Sequence, residues 1–316
     1  MDYRIRRYGV MKRMAAYCLV IGIVLVSVCA KAHALEASAQ DTAASAAESI
    51  TSATSNPPVE GASNNAIRRI TDTWYLARTE QMRLWMRQFG SYESDGAIEE
   101  QITRWEVDPG RPMIALTFDD GPLPRITDKI LGVLARYGVR ATFFVVGIQA
   151  EREPELLRRA VAQGCEIGNH SWDHLSMENL GWEQTYHEIA DTNKAIYNAI
   201  GVETHLLRPP GGNSRGCVLT AAEACDMAIV CWSQSGNAYL TDPALIAANV
   251  MRQEIDGREL RDGDIVLLHD IHDHMIEAVE ILIPMLLERG YQFVTVTELL
   301  MLSEHGIVYG ESYTRQ

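Results

Sequence analysis

The sequence is poor in positive charge. Its 316 residues hold 28 lysines and arginines against 42 aspartates and glutamates, a formal net charge of -14. Nucleic acids and other polyanions are bound through clustered basic side chains, so this balance argues against such a partner. Cysteine is scarce as well. Of six cysteines, Cys18 and Cys29 fall in an N-terminal apolar segment, leaving Cys165, Cys217, Cys225 and Cys231. Their spacing is poor for a thiolate zinc site. One bridge among Cys217, Cys225 and Cys231 is the expectation for a chain exposed to an oxidising compartment. A long apolar run is also lacking. Ala15 to Ala30 falls just short of the ~17 residues that a membrane-spanning helix needs.

That run follows Arg4, Arg6, Arg7, Lys12 and Arg13, and precedes Ala32-His33-Ala34. A basic start, an apolar stretch and small residues flanking a cleavage position read as a secretory signal over 1–34. An uncleaved anchor is the alternative. A lipoprotein site at Cys29 is disfavoured by the bulk of Val28. Residues 35–64 are rich in Ala, Ser and Thr and carry no hydrophobic face, which predicts a flexible linker. Over 65–107, Ile67, Ile70, Trp74 and Ala77 recur at helical spacing, and Met82, Trp85, Met86 and Phe89 do so again after a shift in phase. A helical hairpin is expected there, packed on the domain that follows.

The rest of the chain is organised around Leu116-Thr117-Phe118-Asp119-Asp120-Gly121-Pro122. Met113 to Phe118 reads as a buried strand, and Gly-Pro stops it. Two adjacent carboxylates at a strand tip repel each other unless a cation offsets them. Candidate partners for that cation follow in Asn169-His170-Ser171-Trp172-Asp173-His174. The spacing of His170 and His174 lets both imidazoles converge on one ion. Asp120, His170 and His174 then make the three-ligand set of a catalytic zinc site with an open position, and Asp119 is free to act as a base. Two imidazoles and one carboxylate suit zinc, but also cobalt or nickel.

Four segments in order carry a family resemblance. Thr117 to Pro122 and His170 to His174 resemble the first two motifs of the polysaccharide deacetylases. Arg208-Pro209-Pro210-Gly211-Gly212 resembles the third, and Leu267-Leu268-His269-Asp270 the last. The similarity spans 108–302, leaving 303–316 as a C-terminal tail. The resemblance implies a metal-dependent hydrolase that removes N-acetyl groups from a polysaccharide. It implies Asp119 as general base, Arg208 as the arginine paired with that base, and His269 as general acid. Gly211 would offer its backbone N–H to the oxyanion, Leu267 would line the acetyl pocket, and Trp232 would match the first aromatic of a fourth motif. That motif departs from the family. In Cys231 to Tyr239, Ala238 falls where an aspartate beside the acid histidine is expected, and Tyr239 stands for a tryptophan, where it is expected to form an aromatic wall for a sugar face. Asn237 and Asp242 are the candidate substitutes for that aspartate.

Apolar strands alternate with amphipathic helices from Met113 onward, and the polar motifs fall at the C-terminal ends of strands. This predicts a parallel α/β sheet. The resemblance implies a distorted, incomplete (β/α) barrel. The expected partner is an N-acetylated glycan, peptidoglycan first, with chitin oligomers or an exopolysaccharide as alternatives. Membrane contact is expected only through the N-terminal segment, so the chain is read as exported, secreted or tethered at the cell envelope. A glycan-binding module on a degraded scaffold is the competing reading. His272, Asp273 and His274 read as a solvated polar turn.

Overall fold

The structure, a computed structural model, describes residues 77–314 apart from 254–255, 303–306 and 308. The signal or anchor, the linker and the first turns of the expected hairpin lie outside the described residues. Among the described residues nine strands form one sheet: β1 (Met113–Asp119), β2 (Thr142–Val145), β3 (Glu166–Asn169), β4 (Leu206–Leu207), β5 (Ala228–Val230), β6 (Gln234–Ser235), β7 (Asp264–His269), β8 (Gln292–Phe293) and β9 (Ser312–Tyr313). The order is β6-β7-β1-β2-β3-β4-β5-β9, with β8 against the start of β1. Every pairing is parallel. The sheet curls into part of a barrel with helices outside it, the expected incomplete (β/α) barrel.

Period-two alternation divides the strands into an outer and an inner layer. On β1 and β7, Ile114, Leu116, Phe118, Val266 and Leu268 face outward into the main core, packed against helices Pro124–Tyr137 and Asp273–Glu288. Met113, Ala115 and Ile265 face inward, with Phe144, Leu206, Ala228 and Val230 from neighbouring strands. The floor of this inner layer is closed by Val296, Leu299 and Leu300 of helix Val296–Met301. Both faces of β1 are therefore buried, which explains why it reads as one unbroken apolar run. Helix Pro124–Tyr137 starts with Pro in its first turn and ends at Gly138 in the left-handed conformation (φ 67°), the usual proline start and glycine stop.

Helices over 77–89 and Asp95–Arg104 pack on the outer layer through Met82, Trp85, Met86, Ile98 and Ile102. The Trp85 indole donates to the Ile200 carbonyl (3.0 Å), and the Trp105 indole to the Gly138 carbonyl (3.3 Å).

The structure corrects several expectations. All four cysteines are free thiols. Cys217 and Cys225 flank the two ends of one helix, Val218–Ala224, which at about 1.5 Å rise per residue sets them ~12 Å apart. A disulfide needs Cα atoms within ~7 Å. His272 stands just before helix Asp273–Glu288 without a side-chain capping bond, and Asp273 opens it, so this stretch is a helix start where a polar turn is expected from sequence. Helices Gly147–Arg152 and Val218–Ala224, and strands β6 and β9, add elements that periodicity does not show. Strand β9 lies in the segment read as a tail, and it covers the edge of β5.

Candidate active site

Continuing the inner layer upward from its apolar floor brings polar side chains together. On β1 the inward positions run Met113, Ala115, Thr117, Asp119. On β7 they run Ile265, Leu267, His269. Parallel pairing sets Asp119 beside His269 in register, and Thr117 beside Leu267. Leu267 is 7% exposed. His170 follows β3 and Arg208 follows β4, and the pairing of Asn169 with Leu207 makes them neighbours. The Arg208 backbone N–H donates to Asn169 O.

Arg208 is completely buried. Its Nη1 donates to Asp119 Oδ1 (2.7 Å) and to Thr117 Oγ1 (2.6 Å). Its Nε donates to Val230 O (2.9 Å) and its Nη2 to Cys231 O (3.0 Å). The guanidinium stacks over Phe144 at 4.1 Å. A buried charge is tolerated when paired and fully hydrogen-bonded, and here that fixes both partners. The Asp119 carboxyl, 2% exposed, is held in one orientation and its charge is compensated.

Asp120 leaves β1 with φ 78°, and Ser171 and His174 also have left-handed φ of 67° and 65°. Such values are uncommon for non-glycine residues, and three occur at this site. The histidine loop is locked from helix Trp182–Ile200. Glu188 accepts the Trp172 and Asp173 N–H groups (2.8 and 3.3 Å). The Asn169 side chain accepts the Ser171 N–H (2.8 Å) and donates to Ile189 O (2.9 Å). Burial is the main cause of a raised Glu188 pKa. No local sequence pattern marks either residue for this role.

Asp120, His170 and His174 offer ligand atoms that all lie within 4.8 Å of one another. His170 Nδ1 is 2.6 Å from the Arg208 carbonyl oxygen. That contact places a proton on Nδ1 and leaves Nε2 on the side of Asp120. The His170 and His174 Nε2 atoms stand 3.3 and 3.1 Å from Asp120 Oδ1, yet that buried oxygen has no well-directed donor. A carboxylate oxygen and two ring nitrogens converge on one point, and this donor set fits a small divalent cation. Burial opposes ionisation of Asp120, but the facing imidazoles outweigh it and hold its carboxyl below the usual range. The Asp120 carboxylate in turn raises the His174 pKa against partial burial.

The family description "Polysaccharide deacetylase" matches residues 106–230. A peptidoglycan-N-acetylglucosamine deacetylase of Bacillus cereus is 36% identical over 201 residues, 62% of this chain and 92% of the relative. The chain belongs to the polysaccharide deacetylase family. A chitooligosaccharide deacetylase of Sinorhizobium fredii is 34% identical over 198 residues, 58% of this chain and 89% of that protein. The solved structure of peptidoglycan deacetylase PdaC from Bacillus subtilis matches with a TM-score of 0.56 at 36% identity, over 61% of this chain and 92% of that one. As a member of the family the chain is a hydrolase that deacetylates glycans.

The remaining residues divide into two groups. Trp232 lies against the third-motif loop. A Cβ on Gly212 would stand 2.8 Å from its ring, and Arg208 lies 5.7 Å from the ring centroid. Gly211 has φ 69° with open space where a side chain would project, so the deacetylase has a gap there and a backbone that disfavours filling it. Tyr239 does not join this group. It is 95% exposed, and Ala238 beside it is exposed too. Neither candidate substitute for the missing aspartate serves His269. Asp242 caps helix Pro243–Met251 by accepting from Ala244 N and Leu245 N. Asn237 Oδ1 accepts from Tyr239 N. Among the described residues the His269 imidazole has no hydrogen-bond partner. Burial lowers its pKa, and the charges of Asp119 and Asp120 only partly restore it.

Proposed function

We propose that this deacetylase is an exported, metal-dependent enzyme that removes N-acetyl groups from peptidoglycan amino sugars. The observation that carries the reading is the convergence of Asp120, His170 and His174 beside an Asp119 locked by Arg208, with His269 on the neighbouring strand. Support for the substrate comes from the Bacillus relatives, which are named for peptidoglycan. Support for export comes from the basic, apolar and small-residue pattern of residues 1–34 and the spacer after it. Zinc is the metal that the donor set suits best among those such ligands bind.

Amide hydrolysis requires a nucleophile, a stabilised oxyanion and a protonated leaving amine. A divalent cation held by Asp120, His170 and His174 would supply Lewis acidity toward the carbonyl and lower the pKa of a coordinated water. Asp119 takes a proton from the attacking water, and Arg208 keeps its carboxylate aimed. The Gly211 backbone faces the oxyanion, Leu267 packs against the acetyl methyl, and Trp232 borders the sugar. His269 gives its proton to the amine nitrogen as the C–N bond breaks, releasing acetate and a free amine.

Free-amine release from N-acetylated peptidoglycan and from chitin oligomers, compared at equal enzyme, tests the substrate. Faster turnover of peptidoglycan is expected, and a clear preference for chitin oligomers would displace that choice. The isolated His269 favours a second reading, an impaired enzyme that mainly binds glycan. The sign of its pKa shift gives a test. Burial lowers the His269 pKa, so its acid form disappears at lower pH and the alkaline limb of the rate profile moves down. Ala238→Asp restores the carboxylate at the fourth-motif position where the family carries one; a carboxylate beside an imidazole favours its charged form, and the variant is expected to move that limb of kcat toward higher pH. The shift must vanish in a His269→Ala background. A downward shift would mean that His269 is not the acid.

A further inference from the structure

The motif that supplies His269 also supplies Asp270, which the mechanism leaves unused. Asp270 is 1% exposed. It continues the outward face of β7 after Val266 and Leu268, so its carboxylate points to helix Pro124–Tyr137, away from the side that His269 faces. It has no ion-pair partner among the described residues, and burying a carboxylate without one is costly. Its two oxygens are instead used to hold backbone. Gly121 N–H donates to Oδ1 (3.0 Å), and the Thr127 hydroxyl donates to Oδ2. The same hydroxyl accepts the Leu123 N–H (2.7 Å). The Asp270 N–H donates to Asp119 O (3.2 Å).

Asp119, Gly121 and Leu123 are thus all tied to this one pair of residues, and Asp120 stands between the tied points. It is held there at φ 78°, a conformation that needs support from its surroundings. The fit is close enough to dictate the neighbouring residue. A Cβ on Gly121 would lie 2.1 Å from Asp270 Oδ2, so the glycine of this turn is required by the carboxylate behind it.

We propose that Asp270 and Thr127 form a brace that fixes the turn after β1, setting the positions of the base Asp119 and the ligand Asp120 relative to His269. Both are positioning residues, since neither reaches the inner face. The inference rests on the metal-dependent reading above. An aspartate that only stabilised the fold would affect folding without changing how the site grips a cation.

The test uses the full chain stripped of metal. Co2+ binding is followed by visible absorption and by calorimetry, alongside urea unfolding of the metal-free proteins. Thr127→Val removes the hydroxyl at nearly constant volume and is expected to weaken Co2+ binding about 10–100-fold and change the absorption band, the size of effect that outer-shell partners have. Thr127→Ser keeps the hydroxyl and is expected to bind within about threefold of wild type on the same scale. Asp270→Asn, which cannot accept from both donors, should resemble Thr127→Val and carries the test if that variant does not fold. Folded Thr127→Val or Asp270→Asn protein with wild-type affinity and spectrum would overturn the brace alone. So would a loss shared by Thr127→Ser, because it would trace to the methyl group. No Co2+ binding by wild-type protein would overturn the brace and the metal-dependent reading together.

Discussion

Asp120→Ala is expected to yield a folded protein that retains no stoichiometric metal and deacetylates at least ~10^3-fold more slowly, as the loss of several kcal/mol of Lewis-acid stabilisation implies. The carboxylate is the only anionic member of the trio, and its Oδ1 is the atom both imidazoles face. Two histidines alone leave a site of lower charge and lower coordination. Alanine at φ 78° also carries backbone strain that aspartate and asparagine bear more easily. Asp120→Asn is therefore the matched control, and it is expected to lose metal too because its amide is neutral. Metal content after dialysis, read by atomic emission on folded protein, decides. A retained equivalent in Asp120→Ala would contradict the ligand assignment.

Asp119→Asn is expected to separate base from ligand. Metal should be retained, while kcat falls about 10^2–10^4-fold, the range of general-base catalysis. An amide cannot take the water's proton. The substitution also strands the buried Arg208 guanidinium, which loses its only carboxylate partner among the described residues (2.7 Å). Breaking one side of a buried ion pair costs ~3–5 kcal/mol, so the rate must be expressed per folded molecule. Arg208 retains its bonds to Thr117, Val230 and Cys231, which keeps the local backbone in place. Full activity in folded, metal-loaded Asp119→Asn would remove Asp119 from the role of base.

The parts legible in sequence were those with local signals. A continuous apolar strand that ends in two carboxylates is unusual enough to mark a site, and the histidine spacing completes a ligand set without knowledge of the fold. What sequence could not show depends on packing across the chain. Glu188 grips the histidine loop from 18 residues beyond His170, one helix away, and nothing in its local sequence distinguishes it from a solvated helix residue. Asp270 was visible only as a motif member, because its role needs the helix that carries Thr127 to lie behind β1. Val218–Ala224 is a short helix between two cysteines, and the helical rise that holds them apart leaves no mark in their close sequence spacing. Two-residue strands such as β6 and β9 are too short for period two to register. The fourth-motif departure was legible as a substitution. Only the structure shows that neither Asn237 nor Asp242 takes the aspartate's place.

The central claim is metal-dependent cleavage of N-acetyl amides at this site. Acetate and free amine should be measured together on N-acetylated peptidoglycan with the wild-type chain, before chelation, after chelation, and after zinc is returned. The account predicts equal acetate and amine, loss of both after chelation, and recovery on adding zinc to wild type but not to His170→Ala. Undiminished release from fully chelated enzyme, or recovery in His170→Ala, would contradict it.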